Sequence, residues 1–255
     1  MLQCGVYCLL LLLVAGCARR GEKDGGGGAS KVGREDTPAL ASPLAGAARS
    51  SSSSSRKQLL FIGTSLTAGL GLEPDSAYPQ LVQQKIDAAS LPFDVTNAGV
   101  SGETTSGLEA RLEWLLRGNF DVVVLESGAN DGLRGIPVDG MRRNLVEIIS
   151  RIRREHPNAR VVLVQMEAPP NMGRQYTVAF HEAFPSVAKE TGVTLLPFLL
   201  DGVAGKPALN QGDGMHPNQR GEHIVADNVW RALEPLLREV TGGTPTTGAG
   251  AKPSP

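Results

Sequence analysis

From residue 57 onward, short continuous apolar runs alternate with longer stretches in which apolar residues recur every three or four positions. The runs at 59–62, 95–97, 122–125, 161–165 and 193–197 are rich in branched residues and read as buried strands. The stretches at 78–88, 105–116, 138–154 and 176–190 read as helices. A last helix is expected over 219–238, with Pro217 marking the boundary before it. Continuous apolar strands separated by helices predict a parallel sheet covered on both faces. The expected fold class is therefore α/β, a three-layer α/β/α sandwich around a mainly parallel five-stranded sheet. In such sheets ligands bind beyond the carboxyl ends of the strands.

The two ends of the chain follow a different pattern. Residues 6–15 form an apolar run about half the length a membrane-spanning helix needs. It leads into Leu13-Val14-Ala15-Gly16-Cys17, which looks like a bacterial lipoprotein signal with Cys17 as the lipidated residue. Residues 18–56 are rich in Gly, Ser, Ala and Pro without a periodic apolar face, and 242–255 share that character. The expected organisation is a signal peptide over 1–16, lipidated Cys17 and a flexible tether over 17–56, a folded domain over 57–241 and a tail over 242–255. The expected location is an exported, membrane-anchored lipoprotein. Ala18 after the cysteine points to the outer membrane and its periplasmic face. All three cysteines (Cys4, Cys8, Cys17) precede the folded domain. Processing at Cys17 would thus exclude a structural disulfide, a Cys-ligated zinc and a Cys nucleophile from the domain. A net charge of −1 gives no basic excess for nucleic acid.

Inside the domain, a set of segments supplies in order the parts of nucleophilic acyl transfer. Gly63-Thr64-Ser65-Leu66 follows the first strand and offers Ser65 as nucleophile. Taken alone it reads as a turn, and it is not the Gly-x-Ser-x-Gly elbow, since position 67 is Thr67. Asn97-Ala98-Gly99 ends the second strand, where Gly99 could present its N–H to an oxyanion. Gly128-Ala129-Asn130-Asp131 follows the third strand and offers the Asn130 amide as a further donor beside the Ser65 and Gly99 N–H groups. Asp213-Gly214-Met215-His216-Pro217 is the most specific segment. Three positions apart on a tight loop, the Asp213 carboxylate can hold one ring nitrogen of His216 while the other faces Ser65. The remaining histidines, His156, His181 and His223, read as surface residues. No His-Glu-x-x-His and no acidic cluster occurs, so no metal is assigned, and no phosphate-cradling loop occurs either.

Taken together, these motifs resemble the SGNH (GDSL) hydrolase superfamily. Gly132-Leu133-Arg134-Gly135, the stretch from Ala168 through Tyr176, and Leu195-Leu196-Pro197-Phe198 are similar to its bacterial thioesterase I, lysophospholipase and arylesterase branch. The resemblance implies a catalytic triad of Ser65, His216 and Asp213, with an oxyanion hole of Ser65, Gly99 and Asn130. It also implies hydrolysis of esters and thioesters of acyl chains in a shallow open cleft, without a cofactor. Thr64 stands where that family usually carries Asp, which is not its triad acid; the change bears on how the serine loop is braced. Two other readings use the same residues: a carbohydrate or cell-wall O-acetylesterase, and a catalytically silent lipoprotein that uses the fold to bind.

Overall fold

In the computed structural model of the chain, residues 56–242 are described. The expected signal peptide, lipidated Cys17, tether and tail lie outside the described residues. The chain runs through β1 (Lys57–Gly63), α1 (Ser65–Ala68), α2 (Tyr78–Ala88), β2 (Phe93–Gly99), α3 (Thr105–Leu115), β3 (Val122–Leu125) and α4 (Ala129–Leu133). It continues through α5 (Val138–Glu155), β4 (Arg160–Val164), α6 (Arg174–Thr191), β5 (Thr194–Leu196) and α7 (Gln219–Val240).

All five strands pair in parallel, in the order β2-β1-β3-β4-β5. The expected α/β sandwich is observed: α2 packs with α7 and β2, while α3 and α6 each pack with α5. The central strands are fully buried, as their unbroken apolar sequences demand, with Leu59 to Ile62 and Val122 to Leu125 at 0–1% exposure. Burying each such side chain contributes roughly 1.5–3 kcal/mol. In α5 the buried residues Met141, Leu145, Ile148, Ile149 and Ile152 recur at helical spacing, and Arg153 and Arg154 complement the dipole in the last turn.

Two expectations need correction. β2 and β5 are edge strands, so Val95 and Leu195 are only half-buried and Asn97, Thr194 and Pro197 are exposed, where buried strands over 95–97 and 193–197 were expected. The pairing of β2 with β1 extends from Phe93 to Gly99, putting Gly99 opposite Gly63 within the sheet. The second is local: Ser65 and Asn130 sit in short helices, α1 and α4, too brief for periodicity to reveal.

The strand order reverses direction between β1 and β3, and the crevice beyond their carboxyl ends is where such sheets bind ligands. α7 is anchored near that crevice by a buried acid. The residue capping α2, Ala77, has no side-chain acceptor for the orphan N–H groups of the first turn. Glu222 of α7 supplies one, accepting from the Tyr78 N–H at 2.8 Å. Glu222 is 2% exposed, and burial pushes its carboxyl up from 4.5 to about 8. The folded state therefore binds this proton more tightly than the unfolded chain does. The resulting stability is present below the ordinary carboxyl range and is lost as pH rises toward 8. Glu222→Gln keeps an acceptor for Tyr78 and has no such proton to lose. Its stability relative to wild type should rise between pH 5 and 9 by on the order of 4 kcal/mol, read by urea unfolding. A difference independent of pH would show that Glu222 does not titrate in this window.

Candidate active site

Ser65 is the first residue of α1, immediately after the extended Thr64 that caps the helix. Its hydroxyl lies 2.8 Å from His216 Nε2, across 151 residues of sequence. His216 Nδ1 lies 2.6 Å from Asp213 Oδ2. The other Asp213 oxygen accepts the N–H groups of Met215 and His216 at 2.9 and 3.0 Å. Those two backbone donors, followed by the imidazole, hold the Asp213 carboxyl at about 2, below its usual range. An ionised carboxylate only accepts hydrogen bonds, so the ring proton sits on Nδ1 and Nε2 faces the serine hydroxyl as acceptor. The loop is closed behind His216, where Gln211 N–H donates to the His216 carbonyl at 2.7 Å and Gln211 Nε2 to Leu70 and Pro217 carbonyls.

The serine turn is held from beneath by a residue that motif reading passed over. Glu126, fully buried at the end of β3, accepts from the Thr64 N–H at 2.7 Å, the Thr64 hydroxyl at 3.0 Å and the Thr67 hydroxyl at 2.9 Å. Burial pushes the Glu126 carboxyl up, and these donors partly offset the rise. Thr64 therefore braces the loop through its hydroxyl, as a donor to a carboxylate on the neighbouring strand. A buried Glu directly after an apolar strand was the available signal, since such a group needs several donors.

On the opposite wall, Asn130 Nδ2 donates one hydrogen to the Glu103 carbonyl at 3.0 Å, which leaves its second amide hydrogen for a ligand. Its neighbour Asp131, 1% exposed, accepts from the N–H and hydroxyl of Thr105 at 2.9 and 2.7 Å. Two adjacent residues thus pin the loop between β2 and α3 against α4. Gly99 does not take the expected place. Its N–H donates to Asn97 Oδ1 at 2.9 Å, and a Cβ there would lie 2.3 Å from the Ala68 backbone nitrogen. Asn97 also donates to the Thr67 carbonyl at 2.8 Å, so the Asn-Ala-Gly segment supports α1 from behind. The glycine that borders the cleft is Gly102, in a left-handed conformation at φ +77°. Among the described residues its N–H has no protein acceptor.

These residues open onto a cleft of about 790 Å³. Its walls are largely apolar, with Met166, Ala168, Pro169, Pro170 and Met172 on one side and Leu200 on another. Leu70, Leu133 and Met215 line the mouth and are about half exposed. His181, expected at the surface, is exposed but places Nδ1 2.7 Å from Oε1 of Glu167, which lines the cleft. Among the described residues, no group of three or more His, Cys, Asp or Glu side chains is placed to hold a metal ion.

Comparison with known proteins gives a consistent result. The GDSL-like Lipase/Acylhydrolase family matches residues 61–224. The chain is similar to Esterase TesA of Pseudomonas aeruginosa, at 37% identity over 180 residues, covering 70% of this chain and 89% of that protein. It is 37% identical over 180 residues to the Thioesterase 1/protease 1/lysophospholipase L1 of Escherichia coli K12, covering 70% and 84% respectively. Among solved structures, the psychrotrophic esterase EstA from Pseudoalteromonas sp., inhibited by monoethylphosphonate, matches with a TM-score of 0.68 at 33% identity. That match covers 71% of this chain and 99% of that one.

The bracing of the serine turn leads to a test. Thr64→Val removes the hydroxyl donor to Glu126 and should lower stability by about 1–3 kcal/mol and reduce kcat, whereas Thr64→Ser should preserve both. Equal rates and equal unfolding midpoints for all three proteins would reduce Thr64 to steric filling.

Proposed function

Because the chain belongs to the GDSL-like lipase/acylhydrolase family, and is a serine ester hydrolase, we propose that Ser65, His216 and Asp213 form its catalytic triad. The observation that carries this reading is the continuous hydrogen-bonded line from Ser65 through His216 to Asp213, at 2.8 and 2.6 Å. His216 takes the Ser65 proton as the hydroxyl attacks the acyl carbonyl, and Asp213 balances the imidazolium that forms. The oxyanion is received by the N–H groups of Ser65 and Gly102 and by the free hydrogen of the Asn130 amide. Gly102 replaces Gly99 in this role because the Gly99 N–H is already committed to Asn97. The alcohol or thiol leaves with the proton held by His216. Water then enters, gives its proton to His216, attacks the acyl-serine and frees the acid.

The substrates are carboxylic esters and thioesters of acyl chains, the activities carried in the names of its relatives. A largely apolar cleft of about 790 Å³ favours acyl chains over the two-carbon group of an O-acetylesterase. Ser65→Ala should remove nearly all hydrolysis of p-nitrophenyl butyrate and abolish labelling by a fluorophosphonate probe, with an unchanged circular dichroism spectrum. Retention of more than a few per cent of either would overturn the nucleophile assignment.

The chain is further read as an exported lipoprotein acylated on Cys17, which would hold the hydrolase at a membrane face. Leu13-Val14-Ala15-Gly16-Cys17, at the end of a short apolar run, supports this. Two or more acyl chains give stable anchoring, where a single chain binds only marginally. Cells grown with radiolabelled palmitate should yield labelled, membrane-bound wild-type protein, and Cys17→Ser should lose both properties. Unlabelled wild type free in the periplasm or medium would reduce the segment to a secretion signal.

A further inference from the structure

The cleft holds one carboxylate that the hydrolytic chemistry does not use. Glu167 lies on the wall formed by Met166 to Met172, and among the described residues no other ionisable side chain apart from His216 lines the cleft. Its position is built. Oε1 lies 2.7 Å from His181 Nδ1, and Gln165 Nε2 donates weakly to the same oxygen at 3.4 Å. Gln165 is itself fixed by donating to the Met166 and His181 carbonyls at 3.0 and 3.2 Å. Pro169 and Pro170 stiffen the backbone beyond it. Among the described residues Oε2 has no protein partner, so one oxygen remains for a ligand. The side chain is 32% exposed, beside apolar walls that extend the reach of its field.

Resting on the esterase reading above, we propose that Glu167 sets the charge selectivity of the site. It favours acyl donors that carry a cationic group within the cleft and disfavours anionic donors, polyanionic thioesters among them. Arg134 is a cation beside the cleft, its Nη2 donating to the carbonyl of Gly102, which lines it, at 2.9 Å. Arg134 is exposed and stands outside the cleft lining, so solvent and salt screen it. The whole chain has a net charge of −1 and imposes no strong long-range field of its own. The selectivity is therefore local to Glu167.

The test compares kcat/KM ratios, so that any general change in activity divides out. One substrate pair places charge on the leaving group, with butyrylcholine against butyryl-coenzyme A. A second places it on the acyl chain, with p-nitrophenyl trimethylammoniobutyrate against p-nitrophenyl hydrogen glutarate. All four substrates are assayed at one fixed pH. In Glu167→Gln the cation-to-anion ratio should fall about three- to tenfold in at least one pair, and further in Glu167→Arg. The responding pair identifies which end of the substrate lies against Glu167. Independently of any variant, raising salt from about 20 mM to about 0.5 M should lower the wild-type ratio severalfold. Ratios unchanged in both pairs, or a proportionate loss on every substrate, would overturn the proposal. Failure of the underlying esterase reading is a separate result: Ser65→Ala would still turn over the neutral p-nitrophenyl butyrate.

Discussion

The Glu126 carboxylate, closed inside the sheet beneath the serine turn, is the contact on which the reactive arrangement depends. A charge or acid at this depth is costly unless it is surrounded by donors. The donors it receives come from Thr64 and Thr67, the residues on either side of Ser65 and Leu66. The carboxylate and the turn therefore define each other. Releasing one hydroxyl leaves a buried acceptor less satisfied, and moving the carboxylate frees the backbone that presents Ser65. Tyr78 extends the same network, its hydroxyl 2.8 Å from the Thr67 hydroxyl while its N–H reaches Glu222 on α7. One chain of buried polar contacts thus runs from the strand end under Ser65 to the helix that follows the histidine loop.

Around this support the site is assembled from segments far apart in sequence. The strand order brings the ends of β1 and β3 side by side, and Ser65 and Asn130 follow those two strands directly. β2 contributes from the sheet edge. Its terminal Asn97 and Gly99 serve α1 from behind, and the loop after it carries Gly102 to the cleft. The arrangement divides labour by hydrogen-bonding capacity: a group whose bonds are spent on the scaffold is unavailable to a substrate. By this criterion Gly99 belongs to the scaffold, whereas the Gly102 N–H and the second hydrogen of the Asn130 amide remain unspent among the described residues.

The cleft itself is nearly uncharged, so a single carboxylate on its wall has a disproportionate influence. Glu167 is held by His181 and Gln165 rather than left to solvent. A positioned charge beside apolar surface discriminates between ligands more strongly than a freely rotating one, because its field is not averaged over rotamers.

Much of this molecule is legible along the chain. The apolar runs of β1, β3 and β4 gave the central strands of the parallel sheet, because a strand buried on both faces has to be apolar throughout. The edge strands β2 and β5 are only partly buried. The Asp213–His216 pair was readable for a different reason: three residues on a tight loop fix their relation locally, and the rest of the fold only has to leave the loop in place. Ser65 and Asn130 were readable as residue types at strand ends. What the chain alone did not decide was which glycine faces the cleft. Gly99 and Gly102 are three residues apart, and the choice rests on how far β2 continues to pair with β1. That length is a property of the partner strand. Nor could it reveal that Glu126 clamps Thr64, that His181 orients Glu167, or that Glu222 completes the start of α2. Each joins residues from separate elements, through bonds that exist only after the layers have packed. Local spacing encodes elements and short loops; the destination of a buried charge is set by the neighbours that folding brings to it.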